Sequence, residues 1–370
     1  MQTVRKKRPP RLLSPFDARL VRIVLQRPGV VRAELAAQMG VSQARAAGAA
    51  RDLVRAGALR ECGQAPSKGG RPATRLLAAP SLAYAYAHSV SNGSLRSSIV
   101  DAAGCASKPL TTALSDPKNI GRHLDEIETL LAGGNGFNVV GSTVVLPGSP
   151  GPDNRTIGKA PWLHGAVTLE LERPMLTNAE ALLRAESTRE PDLLDHLALA
   201  IDLNDGASAV VRTPEGASVL LNLMGTPGPE HVYMRRSFAK FVKENAARPD
   251  SSIAIHVRQG APEVEALRLS ESEGDVVACT LVDETSDSVA KYIGWLARMI
   301  RPVHLVVGSW LFAAGILDPN DISRRVRRLC PPGVVQRLAF RCIEGDEGSH
   351  LAGGGLCAIE RWLQQMESDA

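Results

Sequence analysis

"RAELAAQMGVSQARAAGAARDLVRAGALRECGQAPSKGGRPATRLL", residues Arg32 to Leu77, decides how this 370-residue chain is read. Leu35, Ala36 and Met39 recur at helical spacing and predict a short helix over about 32–39. Gly40-Val41-Ser42 follows: glycine permits a tight turn, Val41 can plug a core, and Ser42 can cap the next helix. That helix is expected to run to about Ala56, with Ala46, Ala49, Ala50, Leu53 and Val54 facing inward and Gly57 ending it. Two short helices joined through "MGVS" have the spacing of a helix-turn-helix. Upstream, Ser14-Pro15 marks a helix start, Phe16, Leu20, Ile23 and Val24 follow its period, and Pro28-Gly29 stops it. Downstream, "ALREC" (58–62) and "ATRLLA" (73–78) read as two short strands, with a loop from Gly63 to Pro72 between them. Three helices and a basic hairpin predict a winged helix-turn-helix over residues 1–80.

Charge follows the same boundary. Residues 1–80 hold sixteen Lys and Arg against Asp17, Glu34, Asp52 and Glu61, a net +12. The remaining 27 basic and 35 acidic residues leave −8 on the rest of the chain. A basic head on an acidic body points to a polyanion met by the head alone, whereas a solvated charged tail would account only for "RKKRPPR" (5–11). The candidate DNA contacts are Ser42, Gln43, Ala44, Arg45, Ala47 and Gly48 at the start of the third helix, with Arg51 farther along. Gln43 can pair with adenine, and Arg45 with guanine or phosphate. Gly48 weakens the helix by about 1 kcal/mol relative to alanine and can permit close approach to a duplex. In the hairpin loop, Lys68, Gly69, Gly70, Arg71 and Pro72 can lie along phosphates, and Arg71 can enter a narrow minor groove.

Hydrophobic residues make up 44% and charged residues 22%, as a core-forming globular protein requires. No apolar run has the length of a membrane span, and no apolar segment follows the basic start. The six cysteines are scattered without a C-x-x-C pair, which predicts reduced thiols and a cytoplasmic location.

The opening stretch, with "GGRP" at this spacing, resembles the head of the ROK family (repressors, open reading frames and kinases), in its xylose-repressor and N-acetylglucosamine-repressor branch. The resemblance implies a transcription regulator, a repressor, that binds paired half-sites of double-stranded DNA as a homodimer or homotetramer and answers to a carbohydrate-like effector. For residues 81–370 it implies a two-lobed, actin-like ATPase fold with a ribonuclease-H-like core. The residues support an α/β pattern on their own terms. "SSIVDAAG" (97–104), "NVVGSTVVLPG" (138–148), "ALAIDL" (198–203) and "VHLVVGS" (303–309) read as strands. "GRHLDEIETLLAG" (121–133) and "DSVAKYIGWLARMI" (287–300) read as amphipathic helices. Residues 139–153, 160–165, 301–322 and 351–363 are similar to family landmarks, the last to a closing helix. "GGNG" (133–136) and "AGGGL" (352–356) lack phosphate-loop spacing and read as turns.

The departures from the family pattern bear on chemistry. Active members open this domain with Asp-x-Gly-x-Thr; the matching residues are Ser89-Val90-Ser91-Asn92-Gly93. Where the family has its catalytic aspartate stands Asn178, whose amide cannot take a proton as a carboxylate can. The Gly-Glu-x-Gly-His motif matches Pro229-Glu230-His231-Val232-Tyr233. The cysteine-rich zinc loop is absent, since no cysteine lies between Cys105 and Cys279. The expectation is a body with no catalytic residue, metal or cofactor. Asn178, Glu180 and Glu230 remain candidates either for a polar effector cleft or for loop support. The alternative is an ATP-dependent hexose kinase with an accessory head; a third reading makes the body an oligomerisation scaffold.

Overall fold

The computed structural model describes residues 13–64, 73–91, 93–114, 119–133, 137–147, 156–157, 169–221, 235–245, 251–344 and 347–368. The head begins with α1 (Pro15–Gln26), where Ser14 Oγ accepts from the Asp17 amide at 3.1 Å. Next come α2 (Arg32–Met39) and α3 (Gln43–Ala56). Gly40 makes the turn between them at φ 67°, a left-handed conformation that suits glycine. Ser42 then caps α3 by accepting from the Arg45 amide at 3.3 Å. β1 (Leu59–Gln64) and β2 (Thr74–Ala78) pair antiparallel, Leu59 opposite Ala78. Leu20, Leu35, Leu53, Leu59 and Leu76 form the core beneath them.

The body consists of two five-stranded sheets with the same strand order. The first uses β3 (Tyr84–Ser91), β4 (Ser94–Asp101), β5 (Leu110–Ala113), β6 (Val139–Leu146) and β9 (Met175–Thr177), in the order β5-β4-β3-β6-β9. Between them in sequence lie α4 (Ile120–Ala132) and a separate pair, β7 (Thr156–Ile157) with β8 (Leu169–Glu170). α5 (Asn178–Arg189) leads to the second sheet. There β10 (Ala198–Asp202), β11 (Ser208–Arg212) and β12 (Ser218–Leu221) form a meander. Helices α6 (Arg235–Asn245), α7 (Ser252–Arg258), α8 (Glu263–Ser272) and α9 (Val276–Ile300) follow. The chain continues through β13 (His304–Ser309), α10 (Trp310–Ala313), α11 (Pro319–Leu329), α12 (Pro332–Val335), β14 (Ala339–Glu344) and α13 (Glu347–Ser368). The second sheet runs β12-β11-β10-β13-β14. In each sheet three strands are antiparallel and the remaining two are added parallel to the first. This repeated order is the two-lobed, actin-like α/β frame. β10 and β13 are buried apolar runs, as parallel strands covered on both faces must be.

Two readings of the sequence change. The helix expected over 287–300 starts eleven residues earlier, at Val276, because Asp275 caps it by accepting from the Ala278 amide at 2.8 Å. "AGGGL" (352–356) is not a turn but lies inside α13. Its glycines serve packing: α13 crosses α5 so closely that a Cβ on Gly353 would lie 2.0 Å from the Ala181 carbonyl oxygen. "GGNG" begins at Gly133, the C-cap of α4, and its other residues lie outside the described ones.

A half-buried polar cluster holds α4 to the first sheet. Glu128 accepts from Arg173 Nε at 2.8 Å, Ser142 Oγ at 2.7 Å and His88 Nε2 at 3.0 Å. Burial pushes the Glu128 carboxyl up, but His88, Arg173 and Ser142 together hold it down at about 2. Burial pushes the His88 imidazole below its usual value, against the pull of Glu128. Both groups bind protons more readily in the unfolded chain, so their contribution to stability is complete above pH 6.5 and falls with acid. The decline starts as the unfolded histidine titrates and steepens between 4.5 and about 2, where Glu128 titrates. Urea unfolding from pH 7 to pH 3 is expected to show Glu128→Gln less stable at neutrality and less acid-sensitive below about pH 4.5. An unchanged acid slope would remove Glu128 as its source.

Candidate nucleic-acid interface and interlobe site

Ser42, Gln43, Ala44 and Arg45 are exposed at the amino end of α3, over buried Ala46. Ala47 and Gly48 are half-buried on the next turn, and Arg51 is exposed beyond them. The alanines and the glycine keep this surface low around the Gln43 side chain. A Cβ on Gly48 would meet nothing within 4 Å, so internal packing does not demand glycine there. The Arg45 guanidinium sits 4.5 Å above the centroid of the Phe16 ring, which ties α3 to α1. Stacking uses the face of the guanidinium and leaves its N–H edge directed outward for a planar acceptor. Lys68, Gly69, Gly70, Arg71 and Pro72 lie outside the described residues; the strands flanking them, β1 and β2, are paired.

The lobes meet at a buried polar cluster. Asp202, at the end of β10, is fully buried and accepts from four donors. These are Asn178 Nδ2 at 3.2 Å, the Asn204 amide at 3.0 Å, Asn204 Nδ2 at 2.8 Å and His350 Nε2 at 2.8 Å. Asn178 also donates to the Asn204 carbonyl at 3.1 Å, while its own Oδ1 is buried without a partner. The turn after β3 and the turn after β10 are joined directly: Ser91 Oγ donates to Asp205 Oδ2 at 2.6 Å. Asp205 holds a left-handed φ of 52°, unusual for a residue with a side chain.

Glu180 has a local task. It forms a capping box with Thr177, accepting from the Thr177 amide and hydroxyl, both at 2.9 Å, while the Glu180 amide donates back at 3.2 Å. Asn178 and Glu180 share the start of α5, and Glu230 lies outside the described residues. Asp202, Asn204, Asp205 and His350 were not singled out from the sequence. The acidic, asparagine-rich turn "DLNDG" directly after a buried strand was the available signal.

α13 connects this cluster to the head. His350 lies in its first turn, and its far end packs on α1 through Ile359, Leu363 and Met366. Arg22 of α1 clasps Glu367 with two bonds, at 2.5 and 3.0 Å. Gln26 and Arg184 both donate to Glu360.

No protein-family model and no curated protein matches the sequence. Solved structures do match. A ROK family transcriptional regulator, a homologue of the E. coli Mlc protein, superposes with a TM-score of 0.64 at 15% identity, over 97% of this chain and 100% of that one. A ROK family glucokinase from Streptomyces griseus, in complex with glucose and AMPPNP, gives 0.61 at 16% identity, over 74% and 99%. Glucokinase from Balamuthia mandrillaris, in complex with glucose, gives 0.57 at 11% identity, over 75% and 94%. The class is thus defined by fold: a two-lobed sugar-kinase frame carrying an N-terminal head. Within that class the regulator matches nearly the whole chain and the glucokinases about three quarters of it. Among the described residues, no helix is long and apolar enough to cross a membrane.

Proposed function

We propose that this protein is a sequence-specific DNA-binding transcription regulator of the ROK type, a cytoplasmic repressor whose kinase-like body performs no phosphoryl transfer. The observation that carries the reading is the capped, solvent-facing amino end of α3, which presents Gln43 and Arg45 beside the β1–β2 ribbon. Such an end fits a major groove, with the ribbon reaching the neighbouring backbone. The interlobe geometry supports the second half. Asn178 stands where the family's base would, and its amide is engaged by Asp202 and the Asn204 carbonyl. Asp202 is surrounded by four donors and has no solvent exposure, which supports a structural role for it rather than that of the base. The Ser91–Asp205 bond joins the two turns between which a nucleotide's phosphates would have to pass. A carbohydrate-like effector in this cleft has to part these bonds, or enter beside Asn178 Oδ1.

Selection from a random duplex pool tests the reading. The expected product is a bipartite site with half-sites one helical turn or a multiple apart, as a homodimer or homotetramer would read it. Affinity should fall about 10³- to 10⁵-fold between 50 and 200 mM salt if about six to ten phosphates are contacted. Failure to enrich any sequence over random DNA would end the proposal. In parallel, an ADP-release assay with a hexose panel should show no turnover. Turnover abolished by Asn178→Ala would establish the kinase reading instead.

A further inference from the structure

A cavity of about 580 Å³ lies where the head meets the body, away from the interlobe cluster. Its lining includes five arginines: Arg19 and Arg22 from α1, Arg27 at its C-cap, Arg184 from α5 and Arg212 from β11. Only two carboxylates, Glu215 and Glu360, share it. Glu360 is engaged by Arg184 and Gln26, and Arg22 is held by Glu367. Among the described residues, the other three arginines form no ion pair with a carboxylate. Arg27 Nη2 donates to the Pro214 carbonyl at 2.8 Å, and Arg19 Nη2 reaches the Gln38 carbonyl only at 3.5 Å. Among the described residues, the Arg212 Nε is buried without a hydrogen-bond partner.

A buried guanidinium donor without an acceptor is costly, and like charges nearby add to the cost. Burial, then Arg184 and Arg27, pull the Arg212 pKa below its usual value, only partly offset by Glu360. The fold retains this arrangement from three separate elements, so an acceptor from outside the chain is the missing component. Phosphate oxygens suit it: they are multiply charged and match the planar fork of arginine two bonds at a time. The volume exceeds what a lone phosphate needs and falls in the range of small-molecule sites.

We propose that this cavity binds a small phosphate-bearing ligand through Arg19, Arg27 and Arg212. The ligand bridges α1 to β11 and fastens the head to the body. The site stands whether or not the head reads DNA, because its evidence lies in the junction alone.

Pyrophosphate is the probe. Thermal unfolding of the full chain, at constant ionic strength set with chloride, should show a saturable rise in Tm with pyrophosphate. Arg212→Gln should fold at least as well as wild type without ligand and lose at least tenfold in pyrophosphate affinity. Arg19→Gln and Arg27→Gln, read by calorimetric titration, should each weaken binding; Arg19→Gln should leave the ligand-free Tm nearly unchanged, and Arg27→Gln should lower it slightly through the lost bond to Pro214. They keep the test valid if Arg212→Gln misfolds. The proposal is overturned by the absence of a saturable rise in wild type, or by full affinity in all three variants. A rise with a DNA duplex but none with pyrophosphate would assign these arginines to the DNA backbone and also overturn it.

Discussion

Gly353→Ala is expected to destabilise the protein by about 3 kcal/mol or more, at the upper end of overpacking effects. In an exposed helix the same change would stabilise by about 1 kcal/mol, since glycine is the weaker helix former. Here the added carbon would sit 2.0 Å from a backbone oxygen of α5, which no side-chain adjustment can relieve. Gly355 is nearly as constrained, with Val100 Cβ 2.3 Å from the new carbon, so α13 cannot escape by shifting toward the first sheet. Gly48→Ala is the control. Its carbon meets nothing within 4 Å, so stability should rise by about 0.5–1 kcal/mol. Urea unfolding followed by circular dichroism measures both. Wild-type stability in Gly353→Ala would mean that α13 does not approach α5 this closely.

Gln43→Ala should lower affinity for the selected duplex about 5- to 150-fold, the value of one bidentate base contact at 1–3 kcal/mol. Binding to random DNA should be unchanged, because a base contact contributes nothing there. Fluorescence anisotropy on the selected site and its single-base variants separates the two. The mutant should become indifferent to one base pair in each half-site, most simply an adenine. Equal weakening on every sequence would make Gln43 a backbone contact. Arg45→Ala needs a different reading, since it also removes the stack on Phe16 and should lower the Tm of the head together with DNA affinity.

The head was legible in the sequence because its signals are local. Ser14, Gly40, Ser42 and Gly57 act within one turn of where they stand, and each caps or turns the chain where its chemistry predicts. Four strands of the body, β4, β6, β10 and β13, were legible for a similar reason, with errors of a few residues at their ends; the other strands of the two sheets were not read. What could not be read depends on partners far along the chain. "AGGGL" has the composition of a turn, and only the positions of Ala181, Val145 and Val100 make three consecutive glycines a helix surface. Asn178 was read from the resemblance as standing where a carboxylate is expected. Its engagement by Asp202 depends on a strand 24 residues away, and that of Asp202 on a helix 148 residues away. The arginines of the junction cavity come from α1 and its C-cap, α5 and β11, so no spacing rule could have collected them.

The docking of α1 on α13 has a consequence for how the protein is made. Arg22 and Glu367 are 345 residues apart, so the surface that receives the head is synthesised long after it. At about 5–20 residues per second, the head emerges roughly 17 to 70 s before its partner helix exists. During that interval the face of α1 that will cover Ile359 and Leu363 has nothing of its own chain to rest on. The nascent chain is therefore a strongly basic head with one uncovered apolar face, on an unfinished body. Expression conditions that shorten this interval should raise the soluble yield of the full chain.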